Sequence, residues 1–244
     1  MSINSIVEFL VIGREHTARE NLVADFERLL SDYHIPYYGV ISQPKPSEDP
    51  ISLVLAGRWP EGWPEHYIEK KYVLTDPTIR YLPHSDSGYA WASTLKFFEG
   101  NTHFQKMRKM LDDAKKFGLK QGYVFPVHSR QGLIGNMTIG GEELELTPVE
   151  ITLFDQVAKV MLLSLLDLSG MRRVDPPAQP TDVTQRELEV LSYLADGLTS
   201  QEISKILKIS SHTVDWHMNS IQEKLHARNR QHAVALAFRL GLVI

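Results

Sequence analysis

The chain has 244 residues, of which 43% are hydrophobic and 23% charged, and its formal net charge is −4. This composition is ordinary for a globular protein with room for two domains, and the small negative charge argues against a general polyanion binder. The absence of cysteine excludes disulfides and thiolate metal sites, and the ten histidines lack metal-ligand spacing, so we predict no metal and no cofactor. No apolar run approaches the ~18 residues of a membrane span and no signal peptide is evident, so we expect a cytoplasmic protein without membrane association.

Residues 1–170 alternate helical and strand patterns. Helices are predicted where apolar residues recur every three or four positions, at residues 22–33, 104–114 and 151–161. Strands are predicted at residues 37–42, 51–56, 89–92, 123–128 and 133–140. Residues 129–132 are expected to form the hairpin turn between the last two. The pattern predicts an α/β/α sandwich around an antiparallel five-stranded sheet.

An aromatic cluster with one acidic residue follows the second predicted strand. Its members are Trp59, Trp63, Tyr67, Tyr72, Asp76 and Trp91. By itself, Asp76 before Pro77 is the pattern of a helix cap with proline in the first turn, and aromatic residues near a strand end are typical of a core. Together, the indole N–H and phenol O–H donors and one carboxylate acceptor suit a small ligand with several carbonyls and a single amide N–H. An N-acyl-homoserine lactone has that set of groups.

A linker is predicted after this domain. Residues 170–180 contain three prolines and no apolar periodicity, which is typical of an extended segment. We therefore predict a ligand-binding domain at residues 1–170, a linker at 171–183 and a second domain at 184–244.

The second domain is predicted to be all-α with four short helices. Thr184 with Glu187 and Thr199 with Glu202 are capping boxes that mark the first two helix starts, and Gly197 marks the end of the first helix. The third helix is predicted to begin at residues 209–211. Its apolar residues recur at helical spacing and predict one buried stripe, formed by Val214, Met218, Ile221 and Leu225.

The exposed face of the third helix predicts the reading of DNA bases. A short turn followed by such a helix is the layout of a helix-turn-helix unit, whose second helix enters the major groove. Asparagine pairs with adenine there and aspartate accepts from cytosine. The predicted contacts are Ser211, His212, Thr213, Asp215, Trp216 and Asn219. The alternative is a helical hairpin whose polar face meets only solvent.

The charge of this second domain favours a dimer. Residues 184–244 carry seven Lys or Arg against six Asp or Glu, which is weak for a DNA-binding unit acting alone. Lys224, Arg228 and Arg230 lie at the end of the third helix, where they are predicted to contact phosphates. The fourth helix, which Asn229 can cap, is more apolar than one packing stripe requires, so it can pair with a second copy. Two-fold pairing predicts a palindromic site on double-stranded DNA with half-sites roughly 10 base pairs apart. The alternative is packing of this surface on the first domain.

Both domains resemble parts of a known family. Residues 188–191, 197–203, 211–217 and 221–225 closely resemble the LuxR-type output domain, in which positions matching Glu187, Leu191 and Gly197 are signature residues. In the first domain, the order of the aromatic residues, the Asp-Pro pair and one glycine is similar to the ligand-domain signature of the acyl-homoserine-lactone-responsive LuxR family. The matching residues are Trp63, Tyr67, Asp76, Pro77, Trp91 and Gly122.

The resemblance implies a role for each ligand-site residue. The position of Trp63 donates to the lactone carbonyl, Asp76 accepts from the amide N–H, and Tyr67 lies by the acyl carbonyl. Trp91 walls the headgroup pocket, while Thr138 matches a position that contacts the substituent on the third acyl carbon.

Two further positions bear on the pocket. Gly122 is implied to allow close packing. Trp59 stands where the family usually has a tyrosine that hydrogen-bonds the acyl carbonyl, and this departure leaves the acyl preference and the ligand class open.

Three functions follow from these patterns. The first is a ligand-responsive, DNA-binding regulator of quorum sensing, and the second is a LuxR-type regulator that is ligand-independent or senses a different small molecule. The third, an enzyme, is not predicted, because the chain lacks a Gly-x-Ser-x-Gly elbow, cysteine and metal-ligand spacing. Asp76 with His66 or His84 is the best acid/base pair that the sequence offers. A phosphorylated receiver domain would require an acidic cluster and βα repeats, which are not found.

Overall fold

The computed structural model describes residues 3–43, 53–129, 132–170 and 182–243. The chain divides near residue 172 into two compact units, each with its own apolar core. Most of the predicted linker, residues 171–181, lies outside the described residues. No helix in the described ranges is both long and apolar enough to cross a membrane.

The N-terminal unit contains seven α-helices in its described part. They are α1 (Ile3–Ile12), α2 (Arg19–Asp32), α3 (Trp63–Glu69), α4 (Pro77–Tyr81), α5 (Trp91–Phe97), α6 (Phe104–Lys116) and α7 (Pro148–Leu168). The helices predicted at residues 22–33, 104–114 and 151–161 are α2, α6 and α7. Helix α7 begins with a capping box, in which Thr147 accepts from the backbone of Glu150 and the Glu150 side chain accepts from Thr147.

The sheet has the five strands that the sequence predicts. They are β1 (Tyr37–Ser42), β2 (Val54–Arg58), β3 (Tyr89–Ala90), β4 (Gln121–Ser129) and β5 (Gly132–Gly141), in the order β2-β1-β5-β4-β3. The β1–β2, β1–β5 and β3–β4 pairs are antiparallel.

Strands β4 and β5 are longer than predicted by one or two residues at each end, and the larger differences are in β2 and β3. The second strand ends at Arg58 rather than at Ala56. Residues 51 and 52, at which it is predicted to begin, lie outside the described part. The prediction of a strand at residues 89–92 is wrong at its end, because Trp91 and Ala92 begin α5. The reason is tertiary: Trp91 folds over the sheet onto Gly122, so the chain leaves the strand after two residues.

Helices cover both faces of the sheet, as predicted for an α/β/α sandwich. On one face, large apolar side chains from the strands and from α2 and α7 form the main core, including Phe26, Phe125, Met137, Ile139, Phe154 and Met161. Helices α3, α5 and α6 contribute to an aromatic cluster on the opposite face, where glycines of the sheet admit two indole rings.

The C-terminal unit consists of four helices in its described residues. They are α8 (Gln185–Ala195), α9 (Ser200–Leu207), α10 (Ser211–Lys224) and α11 (Arg230–Leu240). Both predicted capping boxes are present, Ser210 caps α10, and Asn229 caps α11. The predicted stripe of α10 is buried in the core of the unit. Thus the α+β class and the four-helix unit are confirmed.

Candidate functional site

Four glycines on one face of the sheet lie beneath two indole rings. A Cβ atom added to Gly57 or Gly39 would lie 2.1 Å or 2.7 Å from the ring of Trp59. At Gly140 and Gly122 it would lie 2.2 Å and 2.4 Å from the ring of Trp91, and at Gly122 also 2.4 Å from the backbone oxygen of Ile139. These distances are too short for any side chain, so the glycines are required for the indoles to approach the sheet. The close packing implied at Gly122 is confirmed.

Trp91 and Thr138 are joined by a hydrogen bond. The indole Nε1 of Trp91 donates to Thr138 Oγ1 over 3.2 Å, and Thr138 Oγ1 donates to the backbone oxygen of Tyr123 over 3.2 Å. The threonine hydroxyl therefore fixes the indole orientation from the middle strand of the sheet.

Trp63 lies at the centre of the aromatic cluster. Gly62, with φ of +76°, precedes α3, and Trp63 is the first residue of the helix. Its ring centroid lies 5.7 Å from that of Tyr67, 6.3 Å from that of Tyr72 and 5.3 Å from that of Phe117. The contact with Tyr67 is the one that a spacing of four residues on a helix predicts.

Asp76 is a buried carboxylate that caps a helix. Its Oδ1 accepts from the backbone N and from Oγ1 of Thr78, over 2.8 Å and 2.6 Å, while its Oδ2 accepts from the Tyr67 hydroxyl over 2.9 Å. The helix-cap interpretation of the Asp-Pro pair is therefore confirmed. Burial raises the pKa of the Asp76 carboxyl, and the hydrogen bonds from Thr78 and Tyr67 act in the opposite direction. A carboxylate offers about four acceptor sites, and the hydrogen bonds from Thr78 and Tyr67 occupy three of those on Asp76.

The structure brings all six sequence-predicted ligand residues together. Trp59, Trp63, Tyr67 and Trp91 belong to one apolar cluster, Asp76 is bonded to Tyr67, and Thr138 is bonded to Trp91. A cleft of about 260 Å³ opens between α5 and α6, and Trp91 is the one predicted ligand residue that lines it. Its other lining residues are Ala92, Leu95, Leu111 and Leu119 with the charged Arg108, Asp112, Lys115 and Lys120. The cluster therefore combines one buried acceptor with several donors carried on aromatic side chains.

Sequence reasoning missed a second polar contact behind the cluster. Asp113 on α6 accepts from the Tyr72 hydroxyl over 2.5 Å and from Lys116 Nζ over 2.6 Å. The hydrogen bonds from Lys116 and Tyr72 lower the pKa of Asp113 to about 2. The pairing joins residues 41 positions apart, so no local pattern indicates it.

In the C-terminal unit, the predicted base-reading residues lie along one helix. Ser211, His212, Trp216 and Asn219 are exposed on α10, and the Trp216 side chain is 61% exposed. Thr213 is half-buried, and its backbone N donates to Ser210 Oγ. Because one large aromatic residue lies exposed among short polar ones, this face can make both apolar contacts and hydrogen bonds.

Asp215 is engaged within the unit. It accepts from Ser200 Oγ over 2.8 Å and forms an ion pair with Arg230. The hydrogen bonds from Ser200 and Arg230 lower its pKa. Arg230 also donates to Ser200 Oγ over 3.1 Å, so the three side chains form one network between α9, α10 and the start of α11.

The predicted phosphate-binding cations divide into two groups. Lys224 contacts Glu187 over 2.8 Å and the backbone oxygen of Asp182 over 2.8 Å, so it joins α10 to α8. Arg228 is exposed.

Two exposed lysines, Lys205 and Lys208, lie at the end of α9, directly before the turn into α10. Sequence reasoning counted these two lysines but did not place them in the site.

The comparisons with known proteins agree with this architecture. Residues 18–167 match the autoinducer binding domain family, and residues 182–237 match the family described as bacterial regulatory proteins, luxR family. The transcriptional activator protein BjaR1 of Bradyrhizobium diazoefficiens is 31% identical over 206 residues, which are 84% of this chain and 81% of BjaR1. The chain belongs to the LuxR family of transcriptional regulators.

Solved structures of the LuxR family share the fold. The crystal structure of Escherichia coli SdiA has a TM-score of 0.56 at 21% identity, and the match covers 99% of both chains. SdiA in complex with octanoyl-rac-glycerol has a TM-score of 0.51 at 20% identity, over 97% of this chain and 94% of that one. The matching family models, rather than this fold similarity, make the protein an autoinducer-binding, helix-turn-helix regulator of the quorum-sensing type.

LuxR-family members are transcriptional regulators rather than enzymes. The acid/base pairs that the sequence offered are not formed: His66 Nε2 lies 3.8 Å from Asp113 rather than beside Asp76, and the His84 ring packs on Tyr81 and Phe97. In the described part of the chain, no group of three or more His, Asp or Glu side chains is arranged to hold a metal ion.

The fourth helix of the LuxR-type unit has less free apolar surface than the sequence suggested. Ala233 and Ala237 are buried, and Val234, Leu236 and Leu240 pack partly against the core. Phe238, 45% exposed, is the large apolar residue of this helix that remains accessible within the unit.

Proposed function

We propose that this LuxR-family protein binds an N-acyl-homoserine lactone in its N-terminal unit and binds a palindromic promoter site as a homodimer. The observation that carries the ligand half is Asp76, a buried carboxylate held by the neutral donors of Tyr67 and Thr78. A buried charge without a cation partner is costly, and a ligand amide N–H offsets part of that cost. Tyr67 also contacts Trp63, so the donor groups of these two residues lie close to the Asp76 acceptor.

The roles follow the family resemblance residue by residue. Trp63 donates to the lactone carbonyl, Asp76 accepts from the amide N–H, and Tyr67 lies by the acyl carbonyl. Trp91 walls the headgroup, while Thr138 meets the substituent on the third acyl carbon. Trp59 covers Gly39 and Gly57, so the acyl chain has to pass beside this indole.

A thermal-shift experiment tests the ligand half. The full-length protein is heated with lactones of graded chain length, each with and without a 3-oxo group. A ligand present at about a hundred times its Kd adds roughly 2.7 kcal/mol of stability. This raises the Tm by about 5–10 °C for a domain of this size. A melting temperature that ignores every lactone contradicts the ligand half of the proposal.

A second candidate ligand class has a specific observation in its favour. Trp59 replaces the usual tyrosine, and SdiA, which shares the fold, has been solved with octanoyl-rac-glycerol, a molecule without a lactone or an amide. Adding this glyceride to the same panel separates the two classes. Stabilisation by the glyceride but by no lactone would favour a regulator of a different small molecule, and stabilisation by neither would favour a ligand-independent one.

Charge supports the dimer half of the proposal. Lys224 and Arg230 are held in ion pairs with Glu187 and Asp215, which leaves fewer cations for phosphate contact. We assign the phosphate contacts to Lys205, Lys208 and Arg228, and we assign Asp215 the positioning of Arg230. One unit with so few contacts binds weakly, whereas two units on one site add their contacts.

Sedimentation and gel-shift measurements test this half. We expect the lactone-bound protein to sediment as a dimer and to bind a site with two half-sites about 10 base pairs apart much more tightly than a site with one. Equal affinity for one and two half-sites contradicts dimeric binding.

Base reading is tested by Asn219→Ala. Loss of a paired base contact costs about 1–3 kcal/mol of discrimination at one base-pair position. The matched control is Arg228→Ala, which is expected to weaken binding to all sequences alike and to reduce the salt dependence by about one phosphate contact. Selection from a library of randomised sites, with salt titrations for each variant, gives both readouts. Unchanged base preference in Asn219→Ala would show that Asn219 is not a reader.

A further inference from the structure

Asn136 on β5 is a buried amide with an unsatisfied acceptor. Its side chain is 4% exposed, and its Oδ1 has no hydrogen-bond partner in the described part of the chain. Buried polar groups are nearly always hydrogen-bonded, because an unpaired one loses its contacts with water and gains nothing in return. The amide is therefore expected to have a partner that the protein itself does not supply.

The position of Asn136 connects it to the proposed ligand site. Alternate residues of a strand share a face, so Gly140, Thr138 and Asn136 lie in a row on the face covered by Trp91. Asn136 pairs with Ile41 of β1 as Thr138 pairs with Gly39. Two residues along a strand span roughly 7 Å, so the row leads from Trp91 past the Thr138 hydroxyl to the Asn136 amide.

The two polar residues of this row differ in one respect. The Thr138 hydroxyl has partners on both sides, accepting from Trp91 and donating to Tyr123. The Asn136 Oδ1 has none. An amide oxygen accepts, so its missing partner must be a hydrogen-bond donor, and on an acyl tail a hydroxyl is a small group that can donate.

We propose that Asn136 selects a ligand whose tail carries a hydroxyl group, farther from the headgroup than the substituent that meets Thr138. This inference rests on the proposed function, since it assumes that the ligand headgroup lies by Trp91 and Asp76. A saturated tail at this point leaves the amide unpaired and is bound less tightly. Specificity arises because the site rejects a ligand that lacks the matching polar group.

The test uses matched pairs of synthetic acyl-homoserine lactones. Within each pair the chains are of equal length, and one member carries a single hydroxyl at a defined carbon beyond the third. Affinities for the full-length protein are measured by calorimetry. At the matching carbon we expect about tenfold tighter binding of the hydroxylated member, as for one net hydrogen bond in a buried site.

Two variants assign the preference to Asn136. In Asn136→Leu, which replaces the amide by an apolar group of similar size, we expect the preference to disappear and the ligand-free Tm to rise. Asp155→Asn is the control, because Asp155 lies outside the aromatic cluster and accepts from the backbone N of Gly88, so the preference for the more distant ligand hydroxyl is expected to remain. The wild-type comparison needs neither variant, so the inference can be tested even if one of them fails to fold.

The outcomes separate this inference from the proposal on which it rests. If no lactone of either kind binds, the proposed function fails. If both members of every pair bind with equal affinity, this inference is overturned. If the preference is present but persists in Asn136→Leu, another residue makes the contact and the inference is also overturned.

Discussion

The Asp76→Asn protein is expected to fold normally and to lose its response to acyl-homoserine lactone. Asparagine is as good a helix cap as aspartate, so the contact with the Thr78 backbone and helix α4 should persist. The amide is neutral and presents a donor where the carboxylate presented an acceptor, so it no longer attracts the ligand N–H. A hydrogen bond to a charged group contributes about 1.5–3 kcal/mol, so the lactone affinity should fall by about ten- to a hundredfold.

Asp155→Asn is the matched control. Asp155 is a second partly buried carboxylate of the same unit, on α7, and it accepts from the backbone N of Gly88 over 2.8 Å. Burial raises the pKa of Asp155 to about 6, although the hydrogen bond from the Gly88 backbone acts to lower it. Because it lies outside the aromatic cluster, its replacement should leave the lactone-induced Tm shift intact. Wild-type lactone affinity in a well-folded Asp76→Asn protein would remove Asp76 from the proposed site.

Glu187→Gln is expected to cost the C-terminal unit about 3 kcal/mol, a value typical of breaking a buried ion pair. The Glu187 side chain, 3% exposed, accepts from Thr184 in the capping box, from Ser220 over 2.6 Å and from Lys224 over 2.8 Å. Replacing it leaves the Lys224 ammonium without its buried partner and loosens α10 from α8. DNA affinity should fall with stability, because α10 carries the proposed reading face.

The matched control for this substitution lies fifteen residues along the chain. Glu202 closes the capping box of α9 with Thr199, but it is exposed and forms no ion pair among the described residues. Glutamine can serve a capping box as well, so Glu202→Gln should cost less than about 1 kcal/mol. Hydrogen exchange of peptides from α8 to α10 in the full-length protein measures both effects. Equal protection in the two variants would contradict a special role for the Glu187–Lys224 pair.

The same pair predicts a pH dependence. Burial acts to raise the pKa of Glu187, but hydrogen bonds from Lys224, Ser220 and Thr184 outweigh it and lower the pKa from its usual 4.5 to about 2. A carboxyl whose pKa is lower in the folded state stabilises the fold above the unfolded value, and this stability is lost as the pH falls. The wild-type unit should therefore weaken between pH 4.5 and pH 2, and Glu187→Gln should show less of this loss.

Much of the fold is predictable because it depends on neighbours in the chain. The capping boxes at Thr184 and Thr199 involve residues three apart, and the buried stripe of α10 involves residues three or four apart. Such contacts form whenever a helix forms, so the sequence indicates them directly. The strand pattern likewise predicts the sheet. The predicted end of β3 is wrong because the packing of Trp91 on Gly122 determines where this strand ends.

The sequence by itself determined the two kinds of domain, the family, the starts of the helices and the members of the proposed ligand site. Only the tertiary structure decided which of those side chains are free to act. Asp215 meets Arg230, Lys224 meets Glu187, and the Asn136 acceptor meets no protein group. The physical reason is that local structure follows from spacing along the chain, whereas ion pairs and unpaired buried groups follow from which distant elements pack together.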